Sequence, residues 1–316
     1  MIDTITIKPF DETHIEGILE LFKEVFGGDV NKEWFHWKYL SSPWGSVGYV
    51  AKNSNKVVAY YGGIRFKFLY KGTTLWGYQL CDVMTKANYR GVLFSKTPIV
   101  AALGEMLYRE NSMDFAFGFP SLRHARLQAV RLGGQGYRLI RLFYKTINPL
   151  SARSVLSVRE GWEGLELRGV QRLITSNSLV GPLAMVKDID YLKWRYCQHP
   201  LQTYSLLVFK GLFRHIGLIV YTIKGGMINI VESFLRDPMD CVKVFTTAES
   251  YLHHRHPDID KIALWCHPDS AMSTCLTSLG FQSEDHIPIA VNPKSLGDAE
   301  VFYKGFFYSM GDYDAA

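Results

Sequence analysis

Hydrophobic positions near the start of the chain follow first the period of a strand and then that of a helix. Residues 4–8 alternate apolar and polar side chains, whereas residues 12–26 repeat apolar side chains three and four positions apart. The apolar face of this predicted helix consists of Ile15, Ile18, Leu19, Phe22 and Phe26. Such a face indicates packing on a core, and Gly27-Gly28 is a typical helix end.

The pattern that follows predicts a mixed sheet covered on both faces. Strands that first succeed one another and later alternate with helices are typical of that arrangement. The predicted elements are a helix over residues 32–40, strands at 48–52, 57–68 and 76–85, a turn around 88–91, a helix from about 94 to 109, a strand at 114–118, a helix at 121–132 and a strand at 137–146.

A recurring tripeptide indicates an internal duplication. Trp37-Lys38-Tyr39 is followed by Pro43, and Trp194-Arg195-Tyr196 is followed by Pro200 at the same spacing. Each copy closes a predicted helix and leads into two strands, so we infer a duplication. Two unrelated helices that each bury a tryptophan and stop before a proline are the alternative. Elements of the second half are predicted at 189–196, 204–210, 217–223, 227–235, 239–254, 261–266 and 269–278, with closing strands through 302–310.

Length and composition favour two hydrophobic cores in a globular protein. The chain has 316 residues, and a single core usually stops growing at about 250 to 300 residues. Hydrophobic residues make up 47% and charged residues 21%, as in globular proteins. No apolar run approaches the roughly 18 residues of a spanning helix, and residues 1–10 resemble a strand more than a signal sequence. We therefore expect a soluble cytoplasmic protein without membrane partners.

Charge and cysteine content narrow the classes of partner. A net charge of +5 is mild and its lysines and arginines are scattered, so nucleic-acid binding gains little support. The cysteines are odd in number and lack paired spacing, so we expect free thiols in a reducing compartment. They are Cys81, Cys197, Cys241, Cys266 and Cys275. The histidines at 253, 254 and 256 lack partners at ligand spacing, so no metal site is expected.

One strand-to-helix connection is the strongest candidate for a ligand site. The predicted strand over 80–84 runs through residues 88–96 into a helix. Such a connection directs backbone N–H groups and the positive helix end at one point, where a pyrophosphate can bind. Arg90 adds a charge-assisted contact. An ordinary turn with a solvated arginine is the alternative.

These residues resemble the acetyl-CoA-binding segment of the GNAT superfamily of N-acetyltransferases. The resemblance rests on Asp82-Val83-Met84-Thr85, Tyr89-Arg90-Gly91 and Leu93-Phe94-Ser95-Lys96, beside the family signature Q/R-x-x-G-x-G/A. Residues 117–121 with Leu132-Gly133 resemble a later corner of that domain, and residues 266–270 with 279–281 resemble the same corner again. The resemblance covers most of residues 1–146 and, more weakly, 186–310.

The resemblance implies an α/β fold of two tandem GNAT-like domains, each with a mixed, mostly antiparallel sheet flanked by helices. The expected units are an acyl-CoA-binding domain at residues 1–147, a linker with some strand at 148–185, and a degenerate domain at 186–316. Val92-Leu93 after Gly91 departs from the family's glycine loop. The matching turn at 236–240 contains Pro238 and two carboxylates, which disfavour an anion, so the second half is expected to wall the substrate cleft.

The resemblance further implies direct attack of a primary amine on the thioester of acetyl-CoA or another acyl-CoA, with no metal. Asp82 is the expected base or water relay, unless its carboxylate only orders the strand end. The expected cofactor-binding residues are Val83, Met84, Thr85, Arg90, Gly91, Val92, Leu93, Phe94, Ser95, Lys96 and Ser121. The expected substrate-binding residues are Trp37, Tyr39 and Trp44, although helical spacing also fits core packing. The family's helix tyrosine falls at Ala129, so another tyrosine, His124 or solvent protonates the thiolate.

The expected acceptor is a small polar molecule, and a homodimer is left open. Two other readings fit a tandem GNAT-like chain. One is an aminoacyltransferase similar to the FemABX family, which uses aminoacyl-tRNA and should show a stronger basic groove. The other is a non-catalytic protein that senses acyl-CoA or scaffolds a partner.

Overall fold

A computed structural model describes residues 5–94, 96–147, 156–177 and 181–313. The strands are β1 Ile5–Pro9, β2 Ser46–Asn53, β3 Lys56–Tyr70, β4 Thr73–Thr85, β5 Leu93–Phe94, β6 Thr97–Pro98, β7 Phe115–Gly118, β8 Tyr137–Thr146, β9 Ser157–Glu160, β10 Leu183–Met185, β11 Ser205–Lys210, β12 His215–Lys224, β13 Met227–Leu235, β14 Lys261–Trp265 and β15 Gln282–Asn292. The α-helices are α1 Ile15–Phe26, α2 Lys32–Phe35, α3 Ile99–Glu110, α4 Leu122–Arg131, α5 Arg168–Asn177, α6 Ile189–Leu192, α7 Cys241–Arg255, α8 Ala271–Ser278 and α9 Ala299–Gly305.

One continuous mixed sheet runs through both halves of the described chain. Its strand order is β1-β2-β3-β4-β7-β15-β8-β14-β13-β12-β11-β9, and β10 pairs with β3. Most neighbours are antiparallel, whereas β4 with β7 and β13 with β14 are parallel. The mixed sheet flanked by helices confirms the predicted fold class.

The two halves exchange strands at the centre of this sheet. β15 comes from the end of the chain but lies between β7 and β8, and β8 lies between β15 and β14. Each half is therefore completed by a strand from the other half. The unit boundaries at 147 and 186 remain predictions, because the sheet crosses them without interruption.

The repeated tripeptides have the same local structure and contact each other reciprocally. Each lies in a π-helical turn, at His36–Leu40 and Lys193–Cys197, that continues a four-residue α-helix. The Trp37 Nε1–H donates to the Trp194 carbonyl at 2.7 Å, and the Trp194 Nε1–H donates to the Trp37 carbonyl at 2.8 Å. Their rings stack with centroids 5.5 Å apart. The repeat in the sequence therefore corresponds to a repeat in local structure.

Helices cover both faces of the sheet. On one face, α1 packs on β3 and β4 while α5 packs on β12 and β13, and a single core cluster there includes side chains from both halves. On the other face, α3 covers the first half and α7 with α8 covers the second, each over its own cluster. In the part of the chain that the structure describes, no helix has the length and hydrophobicity needed to cross a membrane.

Two predicted elements are wrong. The helix expected from residue 94 begins at Ile99, because Pro98 has φ −52° and ψ 137° and serves as its N-cap; a proline disfavours helix in the residue before it. No strand forms over 302–310: residues 302–305 are helical, residues 306–309 have no regular secondary structure, and Met310 begins a 3₁₀ turn. The helix here is α9, whose N-cap Asp298 accepts a hydrogen bond from the Glu300 N–H at 2.9 Å. Its phenylalanines at 302 and 306 lie four residues apart and are both buried, which is helical spacing.

The expectation of five free thiols is also wrong. Cys241 on α7 and Cys275 on α8 form a disulfide bond, with Cα atoms 6.4 Å apart. The packing of the two helices brings these residues within disulfide range, although they are 34 positions apart in sequence. Cys197 and Cys266 form no disulfide bond among the described residues.

Candidate active site

A β-bulge interrupts β4 at the residues predicted to carry the chemistry. Gly62 of β3 pairs with Cys81, and Tyr60 pairs with Met84, so two residues of β4 lie opposite one residue of β3. Asp82 occupies the bulge with φ 50°, a conformation that is uncommon outside glycine. A bulge re-aims side chains and increases local twist, and this one directs Asp82 toward the π-helical turn.

The parallel ladder between β4 and β7 ends at Leu80, two residues before Asp82. It extends from Gly77 with Phe115 to Leu80 with Gly118. The strands approach closely at this last pair, because a Cβ atom on Gly118 would lie 2.9 Å from the Leu80 carbonyl oxygen. Among the described residues, no ladder pair between β4 and β7 follows this one.

Asp82 belongs to a largely buried polar cluster. Its Oδ2 atom lies 2.8 Å from the Lys38 Nζ atom and accepts a 2.6 Å hydrogen bond from the Tyr39 hydroxyl. The Lys38 side chain is 1% exposed, and its ammonium group also lies 4.7 Å from the Trp34 ring centroid. Burial, with the Asp82 carboxylate beside it, raises the pKa of Tyr39 well above its usual range. Tyr39 therefore remains a hydrogen-bond donor at neutral pH.

The connection after β4 is an exposed loop that contains a small hairpin. A 3₁₀ turn at Ala87–Tyr89 is followed by Arg90 and Gly91, both exposed, and then by the β5–β6 hairpin. The Arg90 Nε–H donates to the Thr85 carbonyl at 3.3 Å, and open space surrounds the Cα atom of Gly91. Val92 and Phe94 are half-buried, and Leu93 and Lys96 are exposed; Ser95 lies outside the described residues.

The first turn of α3 follows this hairpin without a side-chain cap. Uncapped N–H groups at a helix start are available to an anion. The predicted direct passage from strand to helix is therefore replaced by a hairpin that stands between β4 and α3. Ser121 begins α4 and accepts a 3.3 Å hydrogen bond from the His124 N–H.

A tyrosine and a histidine face the bulge from the other side of the sheet. Tyr61, the residue opposite the bulge, is fully buried, and its hydroxyl lies 3.4 Å from His124 Nε2. Burial lowers the pKa of His124 to about 4 and raises that of Tyr61 to about 12. Both are neutral at pH 7. Sequence analysis missed Tyr61, because nothing in the alternation of β3 marks the residue opposite a bulge.

Comparison with known proteins identifies the segment that contains this site. Residues 6–125 match the family model described as an acetyltransferase (GNAT) domain. The chain carries a GNAT domain. It is accordingly an acyltransferase, and domains of this family use acyl-CoA as co-substrate. No curated protein matches the sequence.

Solved structures share the GNAT fold over nearly the whole chain. A conserved protein of unknown function from Enterococcus faecalis, titled a probable N-acyltransferase, has a TM-score of 0.69 at 12% identity over 93% of this chain and 73% of its own. A GCN5-related N-acetyltransferase from Anabaena variabilis has a TM-score of 0.66 at 11% identity over 91% and 72%. Saccharomyces cerevisiae N-myristoyltransferase with bound myristoyl-CoA has a TM-score of 0.58 at 10% identity over 92% and 82%.

The three aromatic residues predicted to bind substrate lie in packed surroundings. Trp37 is buried against Trp194, and Tyr39 is buried with its hydroxyl on Asp82. Trp44 is half-buried, with its ring centroid 6.1 Å from that of Tyr191. Of these side chains, Tyr39 is the one with a polar contact to the candidate base.

The second half repeats the bulge outside the residues that match the GNAT model. Val220 pairs with Glu232 and Tyr221 with Ile230, so β13 has an extra residue at Val231. Glu232 accepts a 3.0 Å hydrogen bond from the Tyr196 hydroxyl, just as Asp82 accepts one from Tyr39. The repeated tyrosines thus contact the carboxylates of two similar bulges.

The turn after β13 differs from its counterpart because the chain caps it internally. The Asp237 carboxylate accepts a 2.8 Å hydrogen bond from the Met239 N–H, and Pro238 supplies no N–H group. An anion would therefore find fewer free donors here than in the loop after β4. Across the described residues, no three His, Cys, Asp or Glu side chains lie close enough to hold a metal ion.

Proposed function

We propose that the chain transfers an acyl group, most simply acetyl, from acyl-CoA to the primary amine of a small polar molecule. The main support is the end of the β4–β7 ladder at Leu80 and Gly118, immediately before the bulge at Asp82. This opening lies within the segment that matches the GNAT family. In this proposal, residues 1–147 bind acyl-CoA and residues 186–316 wall the acceptor cleft.

The thioester lies in this proposal between β4 and the chain after β7. Backbone N–H groups near Val83, beyond the last ladder pair of β4 with β7, polarise the carbonyl. The diphosphate contacts the loop over residues 90–96 and the start of α4 at Ser121, where amides and the Arg90 guanidinium favour an anion. Met84 and Thr85 are buried and shape the β4 side of the opening.

The reaction forms a C–N bond and breaks the C–S bond. Asp82 accepts the proton of the attacking amine, directly or through a water molecule, while Lys38 and Tyr39 hold its Oδ2 atom in place. Fixing the base at hydrogen-bond distance is the protein's main contribution to such a step. The thiolate leaves and takes a proton from solvent or from the Tyr61 hydroxyl, since His124 is neutral at pH 7.

A thermal-shift series with CoA, acetyl-CoA and longer acyl-CoAs tests the cofactor site. A ligand at 100 times its dissociation constant adds about 2.7 kcal/mol to the stability of the folded state. We expect a shift that Arg90→Glu removes, because a carboxylate repels the diphosphate. Arg214→Glu is the matched control: Arg214 is exposed in the second half, and its reversal should leave the shift unchanged.

Turnover tests the base separately from binding. We expect Asp82→Asn to lower kcat about a hundredfold or more, the scale of general base catalysis, with the acyl-CoA-induced thermal shift retained. Release of free CoA, followed with a thiol reagent, measures the rate. If no acyl-CoA shifts the melting temperature, the chain lacks the proposed cofactor; a shift that survives Arg90→Glu places the diphosphate elsewhere.

A further inference from the structure

A cavity of about 230 Å³ lies in the second half, where β13 and β14 separate. The parallel ladder between these strands ends at Ile230 and Leu264. Apolar side chains form most of its wall, among them Met185, Phe234, Trp265, Met272 and Phe307. Glu232, Lys187 and Ser309 also line it. The second half therefore contains a ligand-sized space with a polar region around Glu232, and Arg236 and Ser270 line it as well.

The ammonium group in this polar region is surrounded by oxygen atoms of the protein. Lys187 Nζ lies 2.6 Å from Glu232 Oε1, 2.9 Å from Ser309 Oγ and 2.7 Å from Asp312 Oδ1. An ammonium group has three N–H donors, and three protein oxygens already surround this one. Lys187 is thus a structural cation rather than a site for an anionic ligand.

Glu232, in contrast, keeps capacity to accept hydrogen bonds. It is 4% exposed, and its three described hydrogen bonds, from Lys187, Tyr196 and Ser309, all fall on Oε1. A carboxylate has about four acceptor positions over two oxygens, which leaves Oε2 for a donor from the cavity. The pKa of Glu232 lies above its usual value, because burial and the Asp312 carboxylate raise it more than the Lys187 ammonium lowers it. A cation at Oε2 would stabilise the ionised carboxylate.

The indole of Trp265, in the wall of the same cavity, provides a second and independent indication of a ligand. Trp265 is 3% exposed, and its buried Nε1–H has no hydrogen-bond partner among the described residues. A buried donor left without a partner costs about 1 to 3 kcal/mol. Its neighbour His267 is already satisfied: Nε2 lies 2.8 Å from the Tyr303 carbonyl, and Nδ1 accepts from the Asp269 N–H at 3.1 Å.

We propose that this cavity binds a primary amine with an apolar body, with its ammonium group on Glu232 Oε2 and a hydrogen-bond acceptor directed at Trp265 Nε1. The apolar wall holds the body of the ligand. The cavity is separate from the proposed acyl-CoA site, since its lining lies outside residues 6–125 and does not include the loop after β4.

Calorimetric titration of the full chain with phenylalaninamide tests this site, because the compound joins an ammonium group, an adjacent carbonyl and an aromatic body. We expect 3-phenylpropionamide, which lacks the ammonium group, to bind about tenfold to a hundredfold more weakly, the effect of losing one hydrogen bond to a charged group. 2-Phenylethylamine, which lacks the carbonyl, should bind about two- to tenfold more weakly.

Variants separate this site from the acyl-CoA site. Glu232→Gln should weaken the binding of phenylalaninamide about as much as removal of its ammonium group does. Met272→Trp, which fills the cavity from α8, should abolish binding. Glu284→Gln, at an exposed position of β15, should bind as wild type, and Arg90→Glu should bind the amine normally. Circular dichroism checks that each variant is folded. If Glu232→Gln does not fold, the binding measured with the folded Met272→Trp protein tests the site instead.

Three results would overturn the assignment. They are no binding of phenylalaninamide at about 10 mM, equal binding of the amide without its ammonium group, and unchanged binding by folded Met272→Trp protein. Displacement of the amine by acyl-CoA in the Arg90→Glu variant would also overturn it, because the cavity would then belong to the cofactor.

Discussion

Replacement of Lys38 by methionine should destabilise the fold strongly, because it leaves the Asp82 carboxylate without its ion pair. The Lys38 and Asp82 side chains are 1% and 9% exposed, with Nζ and Oδ2 2.8 Å apart. Removal of one partner from a buried pair typically costs about 3 to 5 kcal/mol. Loss of the desolvated ammonium contact with the Trp34 ring adds about 2 kcal/mol.

A second lysine in the same region provides the matched control. Lys32 pairs with Glu16 at 2.6 Å, a shorter distance, but the two side chains are 60% and 75% exposed. An exposed ion pair contributes about 0 to 1 kcal/mol. Lys32→Met therefore makes the same substitution with a much smaller expected effect, although its pair is the closer one.

Urea unfolding followed by tryptophan fluorescence measures both variants. We expect a loss of at least about 3 kcal/mol for Lys38→Met and less than about 1 kcal/mol for Lys32→Met. The double variant Lys38→Met with Asp82→Asn should lose less than the sum of its single changes, because both changes remove the same ion pair. Equal losses for the two lysines would refute the assignment of a buried ion pair.

Two further predictions follow from buried groups. The pKa of His124 lies near 4 in the fold against 6.5 in its usual range, so this histidine should cost up to about 3 kcal/mol of stability as pH falls from 6.5 to 4. His124→Gln should flatten the pH dependence of unfolding over that window, and parallel curves would contradict this origin. Trp37→Phe and Trp194→Phe should each cost about 1 to 3 kcal/mol, because each leaves a buried carbonyl unpaired. Trp44→Phe, at a half-buried ring, is their control; a similar loss there would contradict the hydrogen-bond explanation.

Local patterns predicted most elements of the fold. The strand expected at 57–68 is observed as Lys56–Tyr70, and the helix expected at 12–26 is a 3₁₀ turn at Glu12–His14 followed by Ile15–Phe26. These elements follow from alternation and helical spacing, which are properties of adjacent residues. The pattern failed at 94–98, where apolar spacing favoured a helix and Pro98 prevented it.

The contacts that define the candidate site could not be predicted from local sequence patterns, because they join residues far apart in the sequence. Asp82 meets Lys38 and Tyr39 across 44 and 43 positions of sequence, and Trp37 meets Trp194 across 157. These contacts between residues distant in sequence depend on the register of β3 with β4 and on the path of the chain between the two halves. The sequence predicted Asp82 as the candidate base. Its partners Lys38 and Tyr39 are known only from the structure, where the bulge and the π-helical turn bring them together.

The exchange of β8 and β15 constrains the order in which the protein can mature. β7 borders β15, which spans residues 282–292, so during synthesis the first half has an unpaired strand edge until β15 has left the ribosome. An open edge invites pairing with other chains. A protein truncated before residue 282 should therefore associate or aggregate, even though it contains the entire segment that matches the GNAT family.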